Sequence, residues 1–160
     1  MPTGSDFGAV TSNLFEIEAT IASSVEMLSP TTVRVYPENF AIITRLKVTM
    51  YLPKRWPLKL RAHEEGHRAI GEHYYGGAEA AARAAASSLI GRSFEGSGAD
   101  RPAAERAASE LVLAALRDAY MQRTHMRSAA ANTRYDAITD HGRRAMLETE
   151  AIALAVADDP

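Results

Sequence analysis

Residues 58–75 read LKLRAHEEGHRAIGEHYY, and this stretch divides the chain into two kinds of sequence. Within it His63, His67, Ile70 and Tyr74 recur at helical spacing, and Ala81 continues the series. Few residues are β-branched, while Ala, Glu and Arg are frequent, as helices prefer. The pattern predicts a helix from about Leu58, which the Gly76-Gly77 pair either ends or kinks. Pro53 and Pro57 close the region before it.

Upstream of that boundary the period is two. Phe15, Ile17, Ala19 and Ile21 alternate with Glu16, Glu18 and Thr20, which describes a strand with one wet face. Ser29-Pro30 breaks the run. Val33 and Val35 flank Arg34 in a short strand expected to stop near Pro37. Phe40, Ile42, Leu46, Val48, Met50 and Leu52 then share one face, with Arg45, Lys47 and Thr49 on the other. The reading is a small antiparallel sheet covered on one side.

Downstream the chain reads as helices. The Gly-, Ser- and Asp-rich segment from about Gly91 to Arg101 is expected to be a loop. Asp100 is placed to cap the next helix, with Pro102 in its first turn. That helix carries Leu111, Val112, Ala115, Leu116 and Tyr120 on a broad apolar stripe and is expected to fray around Ser128 to Asn132. A last helix is expected from about His141-Gly142 through Met146, Leu147, Ile152 and Leu154. The fold class is therefore α+β. A sheet in the N-terminal third (strands about 8–53) is followed by about three helices (about 58–157), forming a single domain over residues 1–160.

Composition narrows the function. A chain of 160 residues is short enough for one domain. The formal net charge of -2 argues against a nucleic-acid partner, which would call for a basic stripe. No apolar run is long enough to span a bilayer. Met1 to Val10 has neither a basic n-region nor an apolar h-region, so it does not read as a signal peptide. Cysteine is absent, so disulfides and thiolate metal sites are excluded, and a metal would need His and carboxylate ligands.

His63-Glu64-Glu65-Gly66-His67 fits H-E-x-x-H. Positions four apart lie one above the other on a helix, so both imidazoles can reach one ion. Glu64 is rotated by about 100° from His63, which points it beside the metal, where it can take a proton from zinc-bound water. Given the chain's composition, the pattern arises by chance in about one chain in a hundred, and here it falls on a helix as the chemistry requires. The plain alternative is a solvated helix in which Glu64 and Arg68, or Arg61 and Glu65, form i,i+4 ion pairs. Gly66 costs about 1 kcal/mol relative to Ala inside a helix; close packing and room beside a metal both explain it.

A third ligand must come from elsewhere. His73 lies ten residues after His63, but the turn glycine of H-E-x-x-H-x-x-G-x-x-H is replaced by Ile70. In an unbroken helix His73 would sit about 15 Å along the axis from His63. Glu72 would serve only if the helix bent. His141 is the better candidate, in a polar stretch expected to interrupt the helical pattern. Asp136 and Asp140 could orient an imidazole, or simply form turns and caps. Tyr135 could donate to an oxyanion. His125 reads as an ordinary surface or core-edge residue.

The residues 61–70, RAHEEGHRAI, together with Tyr135-Asp136-Ala137-Ile138-Thr139-Asp140-His141-Gly142, resemble a bacterial family, the domain of unknown function 922, described as predicted secreted zinc-dependent proteases. In that family an H-E-x-G-H stretch is followed by a Tyr-Asp…Thr-x-His-Gly stretch near the C-terminus. The resemblance covers these two blocks and the strand-then-helix order. Arg143-Arg144-Ala145 departs from the Gln-Gly-type residues expected after the His-Gly. The resemblance implies a zincin-like fold, Zn2+ held by His63, His67 and His141, Glu64 as base, a peptide or protein substrate, and an extracytoplasmic location. The expected activity is that of a zinc metalloendopeptidase. A catalytically silent zinc-binding or protein-interaction domain is the alternative.

Overall fold

The computed structural model describes residues 9–54 and 57–157. The expected strand start near Gly8, the segment from Met1, and residues 158–160 lie outside the described residues. The architecture is α+β. Strands β1 (Val10–Ser29), β2 (Thr32–Tyr51) and β3 (Phe94–Ser97) form an antiparallel sheet in the order β1-β2-β3. Helices α1 (Leu58–Tyr75) and α2 (Ala78–Ser87) follow the hairpin, and α3 (Arg101–Arg123), α4 (His125–Thr139) and α5 (Glu148–Ala157) complete the chain. None of the described helices is long and apolar enough to cross a membrane.

The chain divides into two compact units, one within residues 1–15, 46–77 and 124–160, the other within 16–45 and 78–123. The second unit is built on one face of α3. Ala104, Ala108, Val112, Leu116 and Tyr120 repeat every four residues along α3 and are fully or almost fully buried. β3 pairs with β2 through Val33↔Gly96 and Val35↔Phe94. A Cβ on Gly96 would overlap the backbone of Ala104 and Ala108, so the bare glycine lets α3 lie directly on the strand. Asp100 Oδ1 accepts from the Ala103 amide at 2.9 Å, the cap expected from the sequence.

Several expectations are corrected. β2 does not stop near Pro37 but runs through it. β3 pairs only with Thr32–Val35, so beyond Val35 that edge of β2 lacks this partner, and a residue without an N–H is tolerated there. The segment read as a loop over 91–101 contains β3. α1 ends at Gly76, and the Ala-rich run after it is a separate helix. There are five helices among the described residues. The second long helical region breaks at Thr124, and Ser128 to Asn132 are helical with Ser128 and Ala131 buried. Residues 134–139 continue α4, and the last helix begins at Glu148.

The first unit packs α1, α4 and α5 around Ile70, Tyr74, Ala131, Tyr135, Ala151 and Ala155, all buried. The buried face of α1 also carries His63, Glu64 and Gly66. A histidine and a glutamate 4% exposed on a helix face need partners.

Candidate metal centre

The partners come from α4. The Asn132 and Asp136 side chains, one turn apart, meet the His63 and His67 side chains, also one turn apart. His63 Nε2 lies 3.1 Å from Asp136 Oδ1, His67 Nε2 lies 3.2 Å from the same oxygen, and the two Nε2 atoms are 3.2 Å apart. An ion bound tetrahedrally at about 2.0–2.1 Å needs ligand atoms about 3.3–3.4 Å apart. The triangle therefore has close to the dimensions of one face of such a site. His63, His67 and Asp136 form a group that can hold a metal ion.

Ring orientation supports that use. Asn132 Nδ2 donates to the Ser128 carbonyl at 2.8 Å, which turns its Oδ1 to His67 Nδ1 at 2.6 Å. An amide oxygen only accepts, so Nδ1 carries the hydrogen and the neutral ring presents a bare Nε2. Behind His63, Thr139 Oγ1 donates to the Tyr135 carbonyl at 2.8 Å and accepts from the Gly142 amide at 3.2 Å. It lies 3.5 Å from His63 Nδ1 and can only accept from it, with the same result. Burial alone would raise the Asp136 carboxyl, but its contacts with His63 and His67 hold it well below the usual carboxylate range. Burial works against a charged His67, yet Asp136 and Asn132 raise it overall. The group concentrates negative potential and basic nitrogen at one point, which is what a cation seeks.

The His63 ring is clamped on both sides. Tyr135 stacks on it at 4.9 Å with planes 12° apart, and a Cβ on Gly142 would lie 3.0 Å from His63 Cγ. Gly142 has φ +75°, and Asp140 and His141 have φ 50° and 51°. These are the only non-glycine left-handed residues among those described, a strain of about 1–3 kcal/mol each. The turn they make returns the chain over His63. It also explains why a glycine follows His141.

The sequence candidates separate accordingly. His63, Glu64 and His67 line one cavity, and the two imidazoles meet through their Nε2 atoms. Asp136, expected only to orient an imidazole, is the third member of the group. His141 is not in it: it is half exposed and sits against Asp136 at 3.5 Å. Tyr135 is fully buried, its hydroxyl donating to Glu148, and it does not line the cavity, so its position is that of a packing residue rather than an oxyanion donor. Burial beside Glu148 pushes its phenol well above the usual range. Gly66 is explained by close packing, because a Cβ there would overlap the Tyr135 hydroxyl. His73 is exposed, and Glu72 pairs with Arg68 at 2.7 Å. His125, read as ordinary, lines the same cavity and meets Phe15 edge-on at 6.2 Å.

That cavity is about 600 Å³ and is lined by β1, α1 and α4, with Glu64, His67, Asn132, Asp136 and His141 on its walls. Sequence reasoning missed Asn132, Thr11 and Asn13. Thr11 Oγ1 donates to Glu64 Oε2 at 2.6 Å, and Asn13 Nδ2 donates to the His67 carbonyl at 2.9 Å. The available signal was polar residues at alternate positions on the inner face of β1, in step with buried Phe15.

Comparison of the chain with protein-family models, curated proteins and solved structures finds no match.

Proposed function

We propose that the chain is a zinc-dependent metallopeptidase in which His63, His67 and Asp136 hold the metal and Glu64 is the general base. The observation that carries this reading is the triangle of ligand atoms 3.1–3.2 Å apart beside a buried Glu64 on the wall of a cavity. Two imidazoles and a carboxylate suit zinc, and three protein ligands leave a fourth position open. When bound, the metal supplies Lewis acidity to a water and to the peptide carbonyl. Glu64 takes the proton from the attacking water and passes it to the departing amine. The resemblance to the family of predicted secreted proteases points the same way and implies action outside the cytoplasm on peptide or protein substrates.

The test is metal analysis together with hydrolysis of a broad peptide library. Zinc should bind stoichiometrically, and Glu64→Gln should abolish turnover while sparing zinc. A zinc-loaded wild type inert on every peptide, or an active Glu64→Gln, overturns the reading.

One observation favours a second reading, a catalytically silent zinc-binding domain. His141 Nδ1 lies 3.5 Å from Asp136 Oδ1, and an imidazole taking the fourth position would close the site to substrate. His141→Ala would then weaken zinc binding, whereas the peptidase reading leaves it unchanged.

A further inference from the structure

We infer that Thr11, on the first strand, is a positioning residue for Glu64. The inference rests on the peptidase reading, because it assigns Glu64's partner in that chemistry.

The hydrogen bond from Thr11 Oγ1 to Glu64 Oε2 is 2.6 Å long, at the short end of the O–H···O range. The same hydroxyl lies 3.1 Å from the Glu64 backbone carbonyl, a second and longer acceptor for its single hydrogen. No other side-chain hydrogen bond to Glu64 occurs among the described residues. Glutamate has three rotatable bonds, and a general base works only within hydrogen-bond reach of its proton. Thr11 removes that freedom. It holds Oε2 and leaves Oε1 for the incoming water.

The contact is built into the register of the two elements. Residues 11 and 13 share one face of β1 and stand about 6.7 Å apart. Glu64 and His67 stand about 4.5 Å apart along α1, and Gly71 about 6 Å further on. Thr11 meets Glu64, and Asn13 reaches the His67 carbonyl while its amide fills the space a Cβ on Gly71 would need. Gly71 thus lets the strand seat closely enough for Thr11 to reach the carboxylate. The first strand acts on the site through this pair of contacts, although it carries no ligand.

Thr11→Val removes the hydroxyl at nearly constant volume, and Thr11→Ser keeps it. In zinc-loaded Thr11→Val we expect wild-type zinc content, kcat lowered roughly tenfold to 100-fold, and KM within about twofold. Thr11→Ser should restore most of kcat, and a crystal structure of Thr11→Val should show the Glu64 carboxylate displaced. Loss of packing alone would not divide kcat from KM in this way. Wild-type kcat in Thr11→Val, or an unmoved Glu64 carboxylate, overturns the inference. A wild type inert on all peptides fails the peptidase reading instead, and the position of Glu64 in the variant's crystal structure then decides the inference alone.

Discussion

Tyr135 occupies the space that a side chain on Gly66 would need, so the ring that stacks on His63 also dictates glycine three residues further along α1. Gly66→Ala gains helix propensity of about 1 kcal/mol but forces apart a fully buried ring and its helix. Overpacking of this kind costs about 1–3 kcal/mol, and a rigid, completely enclosed tyrosine puts the cost at the upper end. The expected outcome is net destabilisation of about 2 kcal/mol, a fall in Tm of about 4–8 °C. Urea and thermal unfolding measure it; a Gly66→Ala protein as stable as the wild type would mean that the ring yields freely.

The ligand set divides Asp136 from its neighbour His141. Asp136→Ala should lose stoichiometric zinc, as should His63→Ala and His67→Ala. His141→Ala should retain it, because its ring lies outside the group of three. Competition with a chromogenic chelator reads the affinities. Zinc retained by Asp136→Ala and lost by His141→Ala would restore the ligand set that the sequence suggested.

Tyr135→Phe separates packing from chemistry. The ring and its stack on His63 survive, while Glu148 loses the hydroxyl that donates to it. A lost hydrogen bond of this kind costs about 0.5–1.5 kcal/mol, with kcat within a few-fold of wild type. A 100-fold fall in kcat at unchanged stability would instead make the phenol an oxyanion donor.

Chelation should soften the fold, since side chains of two helices, α1 and α4, converge on one point. Zinc at a thousand times its Kd stabilises by about 4 kcal/mol, or about 8–16 °C in Tm for a chain of this size. Calorimetry with and without chelator, followed by zinc add-back, checks this. An unaltered melting temperature would remove the metal from the account.

Much of this was legible in the sequence, for reasons of period. Spacing of four put His63 and His67 on one face, and alternation marked β1 and much of β2. The Val33-Arg34-Val35 pattern reappears as two buried valines around an arginine that pairs with Glu95 on β3. What escaped was decided by long-range contact. β3 is four residues with a glycine near its centre, and its pairing with β2 beneath α3 makes it a strand. Asp136 escaped because polar residues over 128–142 were read as a break, although Asn132 and Asp136 stand one turn apart. Those polar side chains face the histidines of α1, a destination invisible until α1 and α4 are brought together. Tyr135 looked free to act because its engagement with Glu148 depends on where α5 docks.

The separation of 73 residues between His63 and Asp136 has a consequence for biosynthesis. A chain made from its N-terminus presents α1 first, with two imidazoles and no carboxylate to complete the set. The third group arrives only when α4 has been synthesised and has folded back. An ion held by all three groups is therefore enclosed only after α4 has met α1, so it does not serve as the template on which α1 forms. Loading of the ion and docking of α4 on α1 are then one event in time.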